Sequence, residues 1–156
     1  MNSKKTTYSY MEWFSPEEMH EHTKKWVSEL LFIKDEQHFL KNLIQSFALK
    51  TLDKKQFERI DDFNLAIKEN ERALNLLLPQ IKKHMNLLGI MLDGINQLEM
   101  EKAYKRTHKN LFQKMNKFRI EYRTVKERGF IKLSDILKKD KQKIALGNPE
   151  YKLRSL

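Results

Sequence analysis

The sequence predicts an all-α protein, an elongated antiparallel bundle of three long helices plus a short C-terminal helix. Three observations carry this. Apolar residues recur every seven positions over long stretches, the spacing of one buried helix face. Only 4 Gly and 3 Pro occur in 156 residues, too few to punctuate many short elements. The run Ser15-Pro16-Glu17-Glu18 is a capping box: a capping Ser, Pro at the first helical position and Glu at the third.

The first helix is expected from Pro16 to Leu49. Trp26, Ile33, Leu40 and Phe47 repeat by seven, Leu30 and Ile44 lie between them, and Phe32 and Phe39 widen the arc. Residues 1–14 read as a loose arm whose Tyr8, Tyr10, Trp13 and Phe14 can fold back on a helix end. After a break near Thr51-Leu52, Asp53 can cap a second helix. Its repeat is Ile60, Ile67, Leu74, Ile81 and Leu88. From Leu74 to Leu92 apolar positions nearly encircle it, so it should pack on more than one side. Pro79 predicts a kink, and Gly94 a stop.

The third helix is expected from Asn96 to Arg128, ending before Gly129, on the repeat Tyr104, Leu111, Phe118 and Val125. Ser134-Asp135 should open a short helix to about Leu146, followed by a turn at Gly147-Asn148-Pro149 and a basic tail over 147–156. Residues 15–146 thus form one bundle domain. Short connections make successive helices antiparallel. The short fourth helix covers only part of the bundle, so the remaining apolar surface calls for a second copy or another helical protein.

Charge is uneven. Residues 101–156 hold 17 Lys and Arg against 6 Asp and Glu, whereas residues 1–100 hold 14 against 15. On the third helix, Lys105, Lys109, Phe112, Asn116, Arg119 and Arg123 fall on one line, and Lys138, Lys139, Lys141 and Lys143 continue the charge. Such a line can follow a phosphate backbone, with Phe112 as a stacking platform. A run of charge is more commonly a solvated face, and it can also meet acidic protein or anionic lipid. No helix-turn-helix signature accompanies it, so nucleic-acid binding would be backbone-led.

Polar residues interrupt the apolar pattern. Glu29, Glu36, Asn64, Glu71 and Tyr122 fall at similar heights when the chain is folded at its breaks. They suggest a buried network that includes Lys34 or Arg119, because an unpaired buried carboxylate is costly. A carboxylate-rich metal site is the sharper alternative. His20, His22, His84 and His108 also share a level, where imidazoles can hold zinc or iron. A di-iron carboxylate bundle requires Glu-x-x-His on each of two helices. Glu17-x-x-His20 is one such pair, and Asp35-x-x-His38 is a poor second on the same helix, so no such family is assigned.

The absence of Cys excludes disulfides and thiolate metal sites. No signal-peptide pattern or apolar run of about 18 residues is evident, so a cytoplasmic location is expected. No nucleophile arrangement or phosphate loop appears, and no cofactor is expected. The expectation is a non-enzymatic, oligomerising interaction or scaffold module. The alternatives are a nonspecific nucleic-acid-binding protein and, third, a metal-binding bundle.

Overall fold

The computed structural model describes residues 14–49, 53–93 and 98–145. Within them the chain forms three α-helices: α1 (Pro16–Ala48), α2 (Lys54–Asp93) and α3 (Leu98–Ala145). Their 33, 40 and 48 residues make rods of about 50, 60 and 72 Å. Residues 1–13 of the expected arm over 1–14, the Gly94 stop, the turn at 147–149, the basic tail and the side chain of Lys143 lie outside the described residues.

The start of α1 follows from its cap. Ser15 is extended, and its hydroxyl accepts from the Glu18 backbone N–H at 3.2 Å. This satisfies one of the N–H groups that a helix start leaves without a partner. Behind it, Met19, Thr23, Trp26, Leu30, Ile33, Gln37, Leu40 and Ile44 are buried. Their alternating steps of four and three keep one stripe turned inward. Asp53 caps α2 by accepting from the Lys55 N–H at 2.9 Å. Pro79 lies inside α2 without ending it. It sits on the exposed face, so the carbonyl that loses its backbone donor lies on the water side.

α2 is the central element, packing closely against both α1 and α3, whereas α1 and α3 make few close backbone approaches. Contacts fix the directions. His84 meets His108, Gln80 meets Lys114 and Arg59 meets Asp135. Numbers rise on α3 as they fall on α2, so the two are antiparallel. His22 with His108, Glu29 with Arg119 and Glu36 with Lys126 rise together, so α1 and α3 are parallel. One apolar core runs along the bundle from Trp26, Leu77 and Leu111 to Ile44, Ile60 and Ile136.

The bundle stands as expected, but the separate short C-terminal helix does not form. Residues 134–145 are the last turns of α3, which passes through Gly129 without interruption. Gly129 is buried, and a Cβ added there would collide with the ring of Phe63 on α2. The glycine is therefore a seat for an aromatic ring rather than a helix stop. Phe63 is itself only 2% exposed, which stabilises by roughly 2–3 kcal/mol for a ring of that size. That offsets the loss of about 1 kcal/mol from glycine inside a helix.

Gly129→Ala is therefore expected to destabilise by about 1–3 kcal/mol through overpacking, despite alanine's better helix propensity. In a Phe63→Ala background the same change should become neutral or stabilising. Urea unfolding of the four proteins of this cycle checks the sign reversal, and destabilisation of equal size in both backgrounds would contradict the packing account.

Candidate functional site

Because α1 and α3 stay apart, their seam is bridged by long polar and aromatic side chains. Three rungs cross it. The lowest is aromatic: Phe14 sets its edge on His22 with centroids 4.6 Å apart, and the indole of Trp26 stacks on His108 at 4.8 Å. The middle rung is the Arg119 guanidinium, whose Nε and Nη2 donate to the two oxygens of Glu29 at 2.8 and 2.6 Å, while Nη1 donates to Asn116 at 3.1 Å. At the upper rung the Tyr122 hydroxyl and Lys126 Nζ both donate to Glu36 Oε1, at 2.5 and 2.8 Å.

Burial alone would push the Glu36 carboxyl up. Lys126 and Tyr122 outweigh it and hold the carboxyl below its ordinary value. Burial, reinforced by the bond to Glu36, drives the Tyr122 phenol well above its ordinary value, so it acts as a hydrogen-bond donor at neutral pH.

The polar residues singled out in the sequence therefore divide between two seams instead of forming one network. Glu29, Glu36 and Tyr122 lie on α1–α3. Glu71 lies on α1–α2, where Lys41 Nζ sits 2.9 and 3.2 Å from its oxygens. Asn64 is half-buried and joins neither. The more deeply buried polar pair escaped the sequence reading: Gln37 Nε2 donates to Asn70 Oδ1 at 2.7 Å, with both residues in the core. Its signal was the spacing of Gln37, which falls seven residues from Leu30 and from Ile44.

The cationic line also changes character in three dimensions. Arg119 is absorbed by Glu29 of another helix. Lys105 pairs with Glu101 and Arg123 with Glu127 on α3 itself. Phe112 is half-buried against the core, 6.1 Å from Trp26, instead of standing out as a platform. Lys109 is half-buried and Asn116 is tied to Arg119. Lys138, Lys139 and Lys141 stay exposed near the end of α3.

Three of the four histidines converge. His22 Nδ1 lies 3.4 Å from His108 Nε2, and His108 Nδ1 lies 3.1 Å from His84 Nε2. His20 packs instead toward Gly89. The two neighbours of His108 use its opposite nitrogens, whose lone pairs diverge. The rings therefore form a chain and not a convergent ligand set, and no group of three or more metal-ligating side chains gathers at one point among the described residues. Burial lowers His84 to about 4 and His108 to about 3, the latter helped by the neighbouring imidazoles. His22 is also lowered, by burial first and then by Lys25. At neutral pH each ring then carries one N–H, so the hydrogens along the chain must all point the same way. His84 Nδ1 ends the chain, buried and without a partner.

Compared with known proteins, the chain matches no family model, no curated protein and no solved structure. No helix among the described residues is long and apolar enough to cross a membrane.

The histidine chain predicts a pH dependence. In the unfolded chain these rings titrate near 6.5, and in the bundle His84 and His108 titrate near 4 and 3. The unfolded state therefore binds more protons between these limits. Their stabilisation is complete above about pH 6.5 and is lost as pH falls, by at most about 1.4 kcal/mol per pH unit for each ring. Unfolding free energies at pH 7 and pH 5 check this. The loss should shrink in His108→Phe, and a wild-type protein equally stable at both values would contradict a neutral chain.

Proposed function

We propose that this protein is a non-enzymatic helical-bundle interaction module that associates with a second copy through the α1–α3 seam. The observation that carries the reading is the exposed aromatic pair Phe32 and Phe39, 68% and 63% exposed. Each follows a seam glutamate by three residues, so both sit one strip further out on the same flank of α1. On α3, Phe130 and Leu137 follow Lys126 by four and eleven residues. They occupy the matching strip and are also about half exposed. Apolar strips thus flank a seam that the helices themselves do not close, the position a further helix takes in a four-helix bundle.

Charge supports a second copy as the occupant. The chain carries a formal net charge of +10, which disfavours self-association in general. Along this seam, however, Arg119, Lys126 and Arg123 each sit on a carboxylate. Two copies can meet there without bringing unneutralised cations together. A two-fold pairing would bury each aromatic twice, once from each copy.

A second reading, nonspecific nucleic-acid binding, draws on the end of α3. Lys138, Lys139 and Lys141 are exposed there, and none bonds a carboxylate among the described residues. Such binding would rest on phosphate contacts and fall steeply with salt.

Burying one such ring contributes roughly 2 kcal/mol. The Phe32→Ser/Phe39→Ser double variant is therefore expected to weaken self-association at least about a hundredfold, with helicity unchanged because both side chains face water. Sedimentation equilibrium from micromolar to submillimolar protein reads this. A wild-type chain that stays monomeric throughout would contradict the proposal. Retention of a random DNA duplex at low salt that is lost at high salt, by a monomeric wild type, would favour the second reading.

A further inference from the structure

The far side of the bundle carries a second feature, independent of the seam. A cleft of about 670 Å³ opens between α2 and α3, lined by Gln80, Lys83, His84 and Leu87 from one helix and by Ala103, Arg106, Thr107, Asn110 and Leu111 from the other. Its size falls within the usual range of small-molecule sites, about 300–1,000 Å³. None of the lining residues is acidic. Lys83 and Arg106 bring one cation from each helix, and Asn110 adds an amide. Lys114 Nζ donates to Gln80 Oε1 at 3.0 Å, which leaves the amide nitrogen of Gln80 as its donating end. The Thr107 hydroxyl is committed to the Ala103 carbonyl at 3.1 Å, so it does not compete for a ligand oxygen as a donor. Leu87, Ala103 and Leu111 supply apolar wall.

His84 is one of the residues that line this cleft. The residue is 98% buried, being 2% exposed. Its Nε2 is turned to His108, and the nitrogen left over, Nδ1, has no partner. A polar atom so enclosed and unsatisfied costs free energy until something bonds it. When Nδ1 carries the hydrogen, it can donate to an anionic oxygen. The chain then has one sense: His22 donates to His108 and His108 donates to His84.

We propose that the α2–α3 cleft is a binding site for a small phosphomonoester, its phosphate held between Arg106 and Lys83 and brought to His84 Nδ1 by a small shift of the side chains that cover that atom, its organic part against Leu87, Ala103 and Leu111. Phosphate fits better than a carboxylate because cations approach from both walls, and a dianion with three terminal oxygens can meet both while accepting from an imidazole. Occupation would fix the sense of the histidine chain, so a ligand in this cleft would be felt at His22 across the bundle.

The test uses phenyl phosphate as probe, with phenol and benzoate as controls, and reads the imidazole nitrogen resonances of the ¹⁵N-labelled full chain. Phenyl phosphate should shift His84 Nδ1 and His108 saturably, while phenol leaves them unmoved. Arg106→Gln and Lys83→Gln, both at exposed positions that the fold does not need, should each weaken the response at least about tenfold. An equal response to benzoate would overturn the assignment to phosphate. No saturable shift at about 10 mM probe, an affinity range near 3 kcal/mol, would overturn the site. A response unchanged in both Arg106→Gln and Lys83→Gln would do the same.

Discussion

The apolar stripe on α2 determines how the other two helices lie. Ile60, Phe63, Ile67, Leu74, Leu77, Leu78, Ile81 and Leu88 are all buried, on one stripe about 100° wide. Both other helices pack closely against α2 and share that stripe. Between themselves, α1 and α3 make few close backbone approaches. The polar rungs of the α1–α3 seam are the consequence. Arginine, lysine, tyrosine and histidine have the reach to bridge a gap that Leu or Ile would leave as a void. Each half-exposed ion pair there is worth little on its own, about 0–1 kcal/mol. Together they fix which residues of α1 face which residues of α3.

The same geometry divides the surface. On one side lies a seam whose cations are neutralised and whose flanks are aromatic. On the other lies a cleft with cations and no acid, lined in part by a buried imidazole. The three histidines run between these sides through the core. A neutral chain of this kind is tolerable because each ring both gives and accepts, and burial in an apolar surround penalises the charged form. The net charge of the chain is therefore a poor guide to where an anion would bind. What matters is which cations the fold leaves without an internal carboxylate.

Much of this architecture can be read from the chain. The capping Ser15 and the seven-residue rows place α1 almost to the residue, because both signals are local. α2 does pack against both other helices, but the apolar positions that nearly encircle it between Leu74 and Leu92 are not all buried, since Leu76, Ile90 and Leu92 are exposed. The meeting of His22, His84 and His108 at one level follows from folding rods of known rise at their breaks. Gly129 is the instructive exception. A glycine that ends a helix and a glycine that admits a ring from another helix look alike in one dimension. The ring that decides the matter, Phe63, lies on a different helix. The partner of Arg119 in the cationic line, Glu29, likewise comes from another helix, whereas Glu101 and Glu127, which pair with Lys105 and Arg123, lie on α3 itself. Asn64 and Glu71 show the limit of height matching. It gives a level but not an azimuth, and a rotation of one helix by a fraction of a turn sends neighbours to different seams.

The continuous α3 is the claim on which the seat of Phe63 at Gly129, the Arg59–Asp135 pair and the apolar strip of Phe130 and Leu137 all depend. The chain has no cysteine, so nitroxide pairs can be placed without background. Labels on cysteines introduced at Gln113 and Lys139, both exposed, report directly on it by pulsed electron resonance. An unbroken helix between them predicts a separation of about 39 Å. A helix that stops at Gly129 and folds back would give a distance below roughly 25 Å, incompatible with the 1.5 Å rise per residue of one rod, and would contradict the account.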